Sequence, residues 1–335
     1  MKIHETYIKR CLELAQKGLG TTYPNPLVGS VIVYDGKIIG EGWHKKAGEA
    51  HAEVHAIQAV KDKRLLSDAT IYVSLEPCSH YGKTPPCSDL IIDQGIPNVV
   101  IGTIDPFSKV AGRGVKKLQD AGINVTVGVL EAECARLNKR FFTFHNKKRP
   151  YIILKWAESK EGCIAPLTKE IKEPIWISNA FSRQLAHKWR SEEQAILVGT
   201  QTVRDDNPSL TVRDWTGNHP IRIVLDKNNS ISKESYIFDT LAKTLLITKD
   251  DFSFDDNLAL KMAHFLYEKE IQSVIIEGGR QTLQTFIDAG IWDEARVFIG
   301  DKVLQEGIKA PKLEISPEKK RHIVNDELLI FFNHD

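Results

Sequence analysis

Apolar positions recur at helical spacing through residues 3–17, and Gly18 and Gly20 are placed to end that helix. After Pro24-Asn25-Pro26 the period shortens, and VGSVIVYDGKIIGEGWH alternates about Asp35-Gly36, the pair expected of a two-residue hairpin. HAEVHAIQAVKD reads as a helix, ATIYVSLEP as a buried strand, CSDLIIDQG as a short helix and NVVIGTID as another strand. GVKKLQDAG and NVTVGVL add one more helix and strand. Such alternation predicts an α/β fold, a largely parallel or mixed sheet with helices on both faces. EAECARLNKRFFTFHNKKRP reads as a closing helix that runs into a basic stretch and stops at Pro150, which puts a domain boundary at 147–150. Beyond it the pattern restarts with YIILKWAES and a long helix, AFSRQLAHKWRSEE. Strands follow at AILVG, IRIVLD, TLLIT, SVIIEG, ARVFIG and ELLIFF, with helices at LALKMAHFLYEKE and RQTLQTFIDAG. The reading is therefore two α/β domains, 1–147 and 150–335, without internal repeats.

Length agrees, since 335 residues exceed what one core usually holds. Lys and Arg total 45 against 44 for Asp and Glu, a net charge of +1, which excludes a polybasic route to nucleic acid or anionic membranes. With 42% hydrophobic and 27% charged residues the chain should fold rather than stay disordered. The longest apolar runs are too short for a bilayer, and MKIHETYIKR lacks the apolar core of a signal peptide, so a cytoplasmic protein is expected. Cys11, Cys78, Cys87, Cys134 and Cys163 are an odd, sparse set, better suited to metal binding than to a disulfide framework.

His51-Ala52-Glu53 opens one predicted helix, and Pro77-Cys78 follows the next strand, with Cys87 nine residues on. One His and two Cys are three ligands of the kind zinc prefers, leaving a fourth position for water. Zinc lowers the pKa of such a water to about 7, and a neighbouring carboxylate, Glu53, is placed to shuttle the proton. Taken singly these residues have plainer readings: a helix start, or cysteines packed as small hydrophobes. Their conjunction, H-x-E, a strand, then P-C, is that of the zinc nucleobase deaminases. His55, four residues after His51, could reach a metal on the same helix face, but Ala52 stands where the metalloprotease pattern requires Glu, and His55 is expected to pack on the sheet.

The loop PCSHYGKTPPC departs from the common P-C-x-x-C spacing and brings His80, Tyr81 and Lys83 near the metal, polar groups suited to a phosphorylated substrate. With TTYPNPLVGSVIV and HAEVHA it resembles the deaminase half of the bifunctional riboflavin-biosynthesis deaminase/reductase family, and the resemblance extends over essentially the whole chain. It implies a cytidine-deaminase-like three-layer domain in which His51, Cys78 and Cys87 hold Zn2+ and Glu53 moves protons. Asn25, His44, His80, Lys83 and Asp105 fall at positions implied to contact the substrate. After Asp105 the family usually continues as DPNP, whereas this chain has Phe107 and Ser108.

No G-x-G-x-x-G joins a strand to a helix in residues 150–335. Instead SVIIEGG ends in Gly278-Gly279 ahead of a helix, a junction that presents backbone amides to a phosphate. LKWAESKEGCIA, WIS and AILVGTQTVRDDNPSLTVR resemble the reductase half of the same family, which implies a dihydrofolate-reductase-like fold and NADPH as cofactor. By that resemblance Thr202, Asp206, Gly279, Arg280, Gln281 and Thr282 contact the cofactor, and Arg190, Leu210, Arg213 and Glu277 hold the substrate. Arg190 and Arg213 suit a phosphate through bidentate contacts. Lys155, in the first strand, is a polar group expected near the reacting sugar carbon, and Pro174 stands where a small hydroxyl residue is usual.

The expected activity is hydrolytic deamination of a diaminopyrimidinone ribosyl phosphate, followed by NADPH-dependent reduction of the ribosyl chain to ribityl. The expected partner is this small phosphorylated pyrimidine, with no nucleic acid and no membrane, in a homo-oligomer. Two other readings compete. A nucleoside or RNA deaminase with a C-terminal binding domain should carry a basic, aromatic face, which the near-neutral charge disfavours. A structural zinc scaffold should have a fourth protein ligand, and no further cysteine lies near the loop.

Overall fold

A computed structural model describes residues 2–81, 85–107, 111–168, 173–304 and 306–334. The chain forms two compact units, Met1–Lys147 and Lys148–Asp335.

The first unit runs α1 (Lys2–Gln16), β1 (Gly29–Tyr34), β2 (Lys37–Trp43), α2 (Ala52–Ala59), β3 (Thr70–Leu75), α3 (Cys87–Asp93), β4 (Asn98–Thr103), α4 (Arg113–Asp120), β5 (Asn124–Val127), α5 (Glu131–Leu137) and α6 (Lys139–Lys147). The strands form one sheet in the order β2-β1-β3-β4-β5, with β1 antiparallel to β2 and β3, and β3, β4 and β5 parallel. Asp35 and Gly36 both take positive φ, 47° and 69°, as the β1–β2 hairpin requires.

Because side chains alternate across a strand, the sheet has two apolar faces. Val31, Val33, Tyr72 and Val100 pack under α1 through Tyr7, Ile8, Cys11 and Leu14. Ile32, Ile71, Val73, Val99 and Ile101 pack with Ala56, Ile57 and Val60 on the other face. Helix α2 lies directly on β2: a Cβ at Gly42 would stand 2.5 Å from the Ala52 carbonyl oxygen, so only glycine permits this approach. That contact sets where the start of α2, and His51 before it, must lie.

Two expectations change. His51 is extended, with φ −75° and ψ 167°, and caps α2 rather than lying within it. The single closing helix is broken at Asn138 into α5 and α6. The buried Asn138 amide instead pairs with the Leu27 backbone, accepting its N–H at 2.8 Å and donating to its carbonyl at 2.9 Å.

The second unit contains β6 (Tyr151–Ser159), β7 (Cys163–Ala165), α7 (Ala180–Glu192), β8 (Ala195–Gly199), α8 (Thr200–Asp206), β9 (Ile221–Leu225), β10 (Thr244–Ile247), α9 (Leu258–Glu268), β11 (Ser273–Ile276), α10 (Arg280–Asp288), β12 (Glu294–Gly300), β13 (Ile308–Lys309), β14 (Lys319–Ile323) and β15 (Asp326–Phe332). Its main sheet has the order β10-β9-β8-β11-β6-β12-β15-β14, parallel through β12 and antiparallel beyond. The central parallel strands are buried on both faces, which explains their unbroken apolar runs. Three strands and one helix escape the hydrophobic pattern: β7 and β13 are very short, β14 (KKRHI) is a charged, exposed edge, and α8 carries only one buried residue, Val203. Among the described residues, no helix is long and apolar enough to cross a membrane.

Candidate active sites

In the first unit, chemistry collects where β3 ends and two helices begin. His51 precedes α2, Cys78 follows the β3 exit, and Cys87 is the first residue of α3. His51 Nδ1 lies 3.5 Å from Cys78 Sγ and 3.3 Å from Cys87 Sγ, and the three donor atoms all fall within 4.8 Å of one another. Tetrahedral zinc, with bonds of about 2.0 Å to nitrogen and 2.3 Å to sulfur, separates such donors by about 3.5 Å, so this set fits zinc. Among the described residues no fourth His, Cys, Asp or Glu joins the group, and His55 stays outside it.

Cys78 is brought down to about 4, by hydrogen bonding from Cys87 first and from His51 as well. His51 is raised to about 9 by its contact with Cys78, and Cys87 is raised by the same contact and by burial. Glu53, in the first turn of α2, is 3% exposed, and burial raises its carboxyl to about 6 against the pull of His51.

Around this cluster the structure assembles most of the sequence-derived candidates. The His44 ring meets that of His51 edge-on at 5.4 Å. His44 Nδ1–H donates to the Ala50 carbonyl at 3.1 Å, leaving Nε2 to accept from the Asn25 amide at 3.0 Å. Burial lowers the His44 pKa, consistent with a neutral ring holding Asn25. Asp105, 7% exposed, accepts the Phe107 N–H at 2.7 Å, and burial pushes its carboxyl up to about 6, with Glu76 and Cys78 adding to the effect. The Phe107 ring lies 6.5 Å from that of the exposed His80. Lys83 and Ser108 lie outside the described residues.

Two side chains that no sequence motif marks support this arrangement. Asn138 pins Leu27, two residues past Asn25. Glu76 accepts backbone N–H groups from Asp105, Gly112, Gly114 and Val115.

The second unit holds a cavity of about 660 Å³, lined among others by Lys155, Arg190, Thr202, Asp206 and Glu277. Pro174 also borders it, as do Gly279, Arg280 and Gln281 where α10 starts. Gly279 has φ 68°, 3.5 Å from Thr202 Oγ1 to the place a Cβ would occupy. Thr282 lies one step further back, and a Cβ at Gly199 would stand 2.8 Å from its Oγ1.

Glu277 is the electrostatic centre of this cavity. Arg190 donates to it through Nε at 3.1 Å and Nη2 at 2.7 Å, and Lys155 Nζ stands 3.9 Å away. Burial alone would raise the Glu277 carboxyl, but Arg190 and Lys155 outweigh it and hold the pKa at about 2. Burial lowers the Lys155 pKa, opposed by Glu277. The Arg190 fork, expected on a phosphate, is thus engaged by Glu277, and Arg190 Nη1 reaches the Thr211 carbonyl at 3.3 Å.

Leu210 and Arg213 are not cavity-lining residues. Leu210 is buried at φ 56° against Val198 and Val203, where it shapes the loop. Arg213 is exposed, and its backbone N–H donates to His187 Nδ1 at 2.9 Å. His187, a cavity residue without any motif around it, is 1% exposed and lowered to about 4, chiefly by burial and then by Arg190.

Fold and sites together define a class: an α/β unit with an open zinc-type His-Cys-Cys site and a buried glutamate, joined in one chain to an α/β unit with a ligand cavity at a helix start. Residues 1–103 match the cytidine and deoxycytidylate deaminase zinc-binding region, and residues 150–314 match the RibD C-terminal domain. Riboflavin biosynthesis protein RibD of Aquifex aeolicus is 41% identical over 355 aligned positions, covering 99% of this chain and 98% of that protein. That of Escherichia coli is 38% identical, covering 90% and 88%. The solved Thermotoga maritima diaminohydroxyphosphoribosylaminopyrimidine deaminase/5-amino-6-(5-phosphoribosylamino)uracil reductase superposes with a TM-score of 0.89 at 36% identity, covering 99% of each chain. Acinetobacter baumannii RibD superposes at 0.88 and 30% identity, covering 100% of this chain and 99% of that one. The chain belongs to the RibD family, the bifunctional deaminase/reductases of riboflavin biosynthesis.

Proposed function

We propose that the first unit deaminates a diaminopyrimidinone ribosyl phosphate and that the second reduces the ribosyl chain of the product with NADPH. The observation that carries the first half is the His51, Cys78 and Cys87 donor set at tetrahedral spacing, with the buried Glu53 against it. Zinc, when bound there, supplies a Lewis acid that makes water nucleophilic near neutral pH.

The chain's own residues do the rest. Glu53 takes the protons of the attacking water in turn, passing one to the ring nitrogen and one to the departing amine, so that the exocyclic C–N bond is exchanged for C=O and ammonia leaves. His44 and Asn25 form one wall, their hydrogen bond keeping the amide oriented toward the pyrimidine. Asp105, His80 and Lys83 are assigned to the ribosyl phosphate side.

In the second unit NADPH supplies the hydride, and the protein supplies orientation and charge. Thr202, Asp206 and the α10 start from Gly279 to Thr282 are assigned to the cofactor. The Lys155–Glu277–Arg190 cluster faces the sugar, with Lys155 Nζ bearing the proton that the ring-opened carbonyl oxygen needs as its carbon is reduced. Leu210 and Arg213 are assigned to the phosphorylated substrate on the family resemblance alone. A homo-oligomer in the cytoplasm completes the reading.

The test is a mass-spectrometric time course with the diaminopyrimidinone ribosyl phosphate. The amine should become a carbonyl without NADPH, and the product should gain two hydrogens only when NADPH is added. Zinc-loaded protein that leaves the amine untouched would overturn the first half, and deamination never followed by reduction would overturn the second.

A further inference from the structure

Glu76 stands directly after β3 and just before the Pro77-Cys78 turn. It is buried, 4% exposed, and its carboxylate bonds to backbone amides. Oε2 accepts from Asp105 at 3.3 Å and Gly112 at 2.9 Å, and Oε1 accepts from Gly114 at 2.8 Å and Val115 at 3.2 Å. A carboxylate removed from water persists only when its lone pairs are taken, and two donors on each oxygen leave it little freedom to rotate. Glu76 also extends the sheet, its own N–H donating to the Thr103 carbonyl at 2.9 Å.

A second observation shows how closely the gripped segment approaches. A Cβ on Gly114 would lie 2.1 Å from the Pro77 carbonyl oxygen and 3.1 Å from Glu76 Oε1. The same stretch reaches the loop after Cys78: the Asp105 carboxylate holds the Phe107 N–H at 2.7 Å, and the Phe107 ring faces that of His80. One carboxylate therefore ties the turn that delivers Cys78 to the chain that carries Asp105 and Phe107.

We propose that Glu76 is a positioning residue of the deamination reaction, holding the wall formed by Asp105 and Phe107 in register with the metal site. This inference rests on the proposed deaminase function. The Glu76 carboxylate bonds to backbone amides rather than to the side chains of His51, Cys78 or Cys87, and it acts through the backbone it grips.

The test compares wild type, E76Q and G114A as full chains, measuring deaminase kinetics with the diaminopyrimidinone ribosyl phosphate, zinc content and reductase kinetics with deaminated substrate. E76Q places an amide donor where an acceptor is needed, and G114A forces the start of α4 away from the Glu76–Pro77 turn that grips it. Both should raise the deaminase KM about tenfold or more, with a smaller change in kcat, while zinc stays at the wild-type level and reduction is unaltered. An unchanged KM would overturn the proposal, and so would activity lost in step with zinc, because Glu76 would then serve the metal ligands alone. If E76Q does not fold, the KM and zinc content of G114A decide between the same outcomes. Failure of the wild type to deaminate would strike the functional reading instead, before either variant is considered.

Discussion

At the scale of single residues, the sites depend on how a few buried polar groups are satisfied. Glu53 is buried in the first turn of α2, and in the proposed reaction its replacement by Gln keeps the shape but removes the proton acceptor. E53Q should retain zinc and lose deamination by about a hundred- to ten-thousandfold, read from ammonia release and metal content. In the second unit Glu277 and His187, both lining the cavity, respond to acid. Glu277, held at about 2 against an ordinary 4.5, contributes stability that is complete above its ordinary value and is lost as pH falls toward 2. His187, lowered from 6.5 to about 4, resists protonation when folded, so the unfolded chain takes up the proton first and stability falls from about pH 6.5 to 4. Calorimetric melting of the full chain should therefore show the reductase transition dropping across both windows. H187N, whose amide oxygen can still accept the Arg213 N–H, should flatten the upper one. These roles were unevenly legible. H-x-E and P-C stand close together in sequence and carry their chemistry in the residue types, whereas Glu76, Asn138 and His187 bond to backbone groups 26 to 111 residues away, and no local pattern announces such partners.

At the scale of elements, the junctions between helices and strands aim the chemistry. Asn138 breaks the closing helix and ties it to Leu27, beside the Asn25 loop. Asn138→Ala would leave the buried Leu27 N–H and carbonyl unpaired, at a cost of about 2 kcal/mol or more. The variant should melt earlier and show a raised deaminase KM, with reduction unchanged. Gly279, at φ 68° and ψ 131°, starts α10 in a conformation that side chains rarely adopt. Gly279→Ala should cost about 1–3 kcal/mol and weaken NADPH binding, as titration of the cofactor's fluorescence would reveal, without affecting deamination. Element types follow from periodicity where a face is buried, as in α1, β3 and β11. They do not where the element is polar or short: β14 is exposed but for its last residue, Ile323, and α8 buries one residue.

At the scale of the whole molecule, each unit closes its own apolar core around its own sheet, and the two chemistries are housed separately. Chelating the metal should accordingly abolish deamination and leave NADPH-dependent reduction of deaminated substrate intact, with added zinc restoring the first activity; loss of both together would contradict that separation. The sequence by itself determined the two α/β halves, because buried strands and amphipathic helices write their period into the chain, and it singled out His51, Glu53, Cys78 and Cys87 as candidates, because reactive residue types are few and their motif is local. Only the tertiary structure decided that His51 lies outside its helix, that Arg190 is engaged by Glu277, and that the buried Glu76 grips the backbone of Asp105 and of the start of α4. Those features are hydrogen bonds and ion pairs between distant segments, and their partners become neighbours only after the sheets have closed.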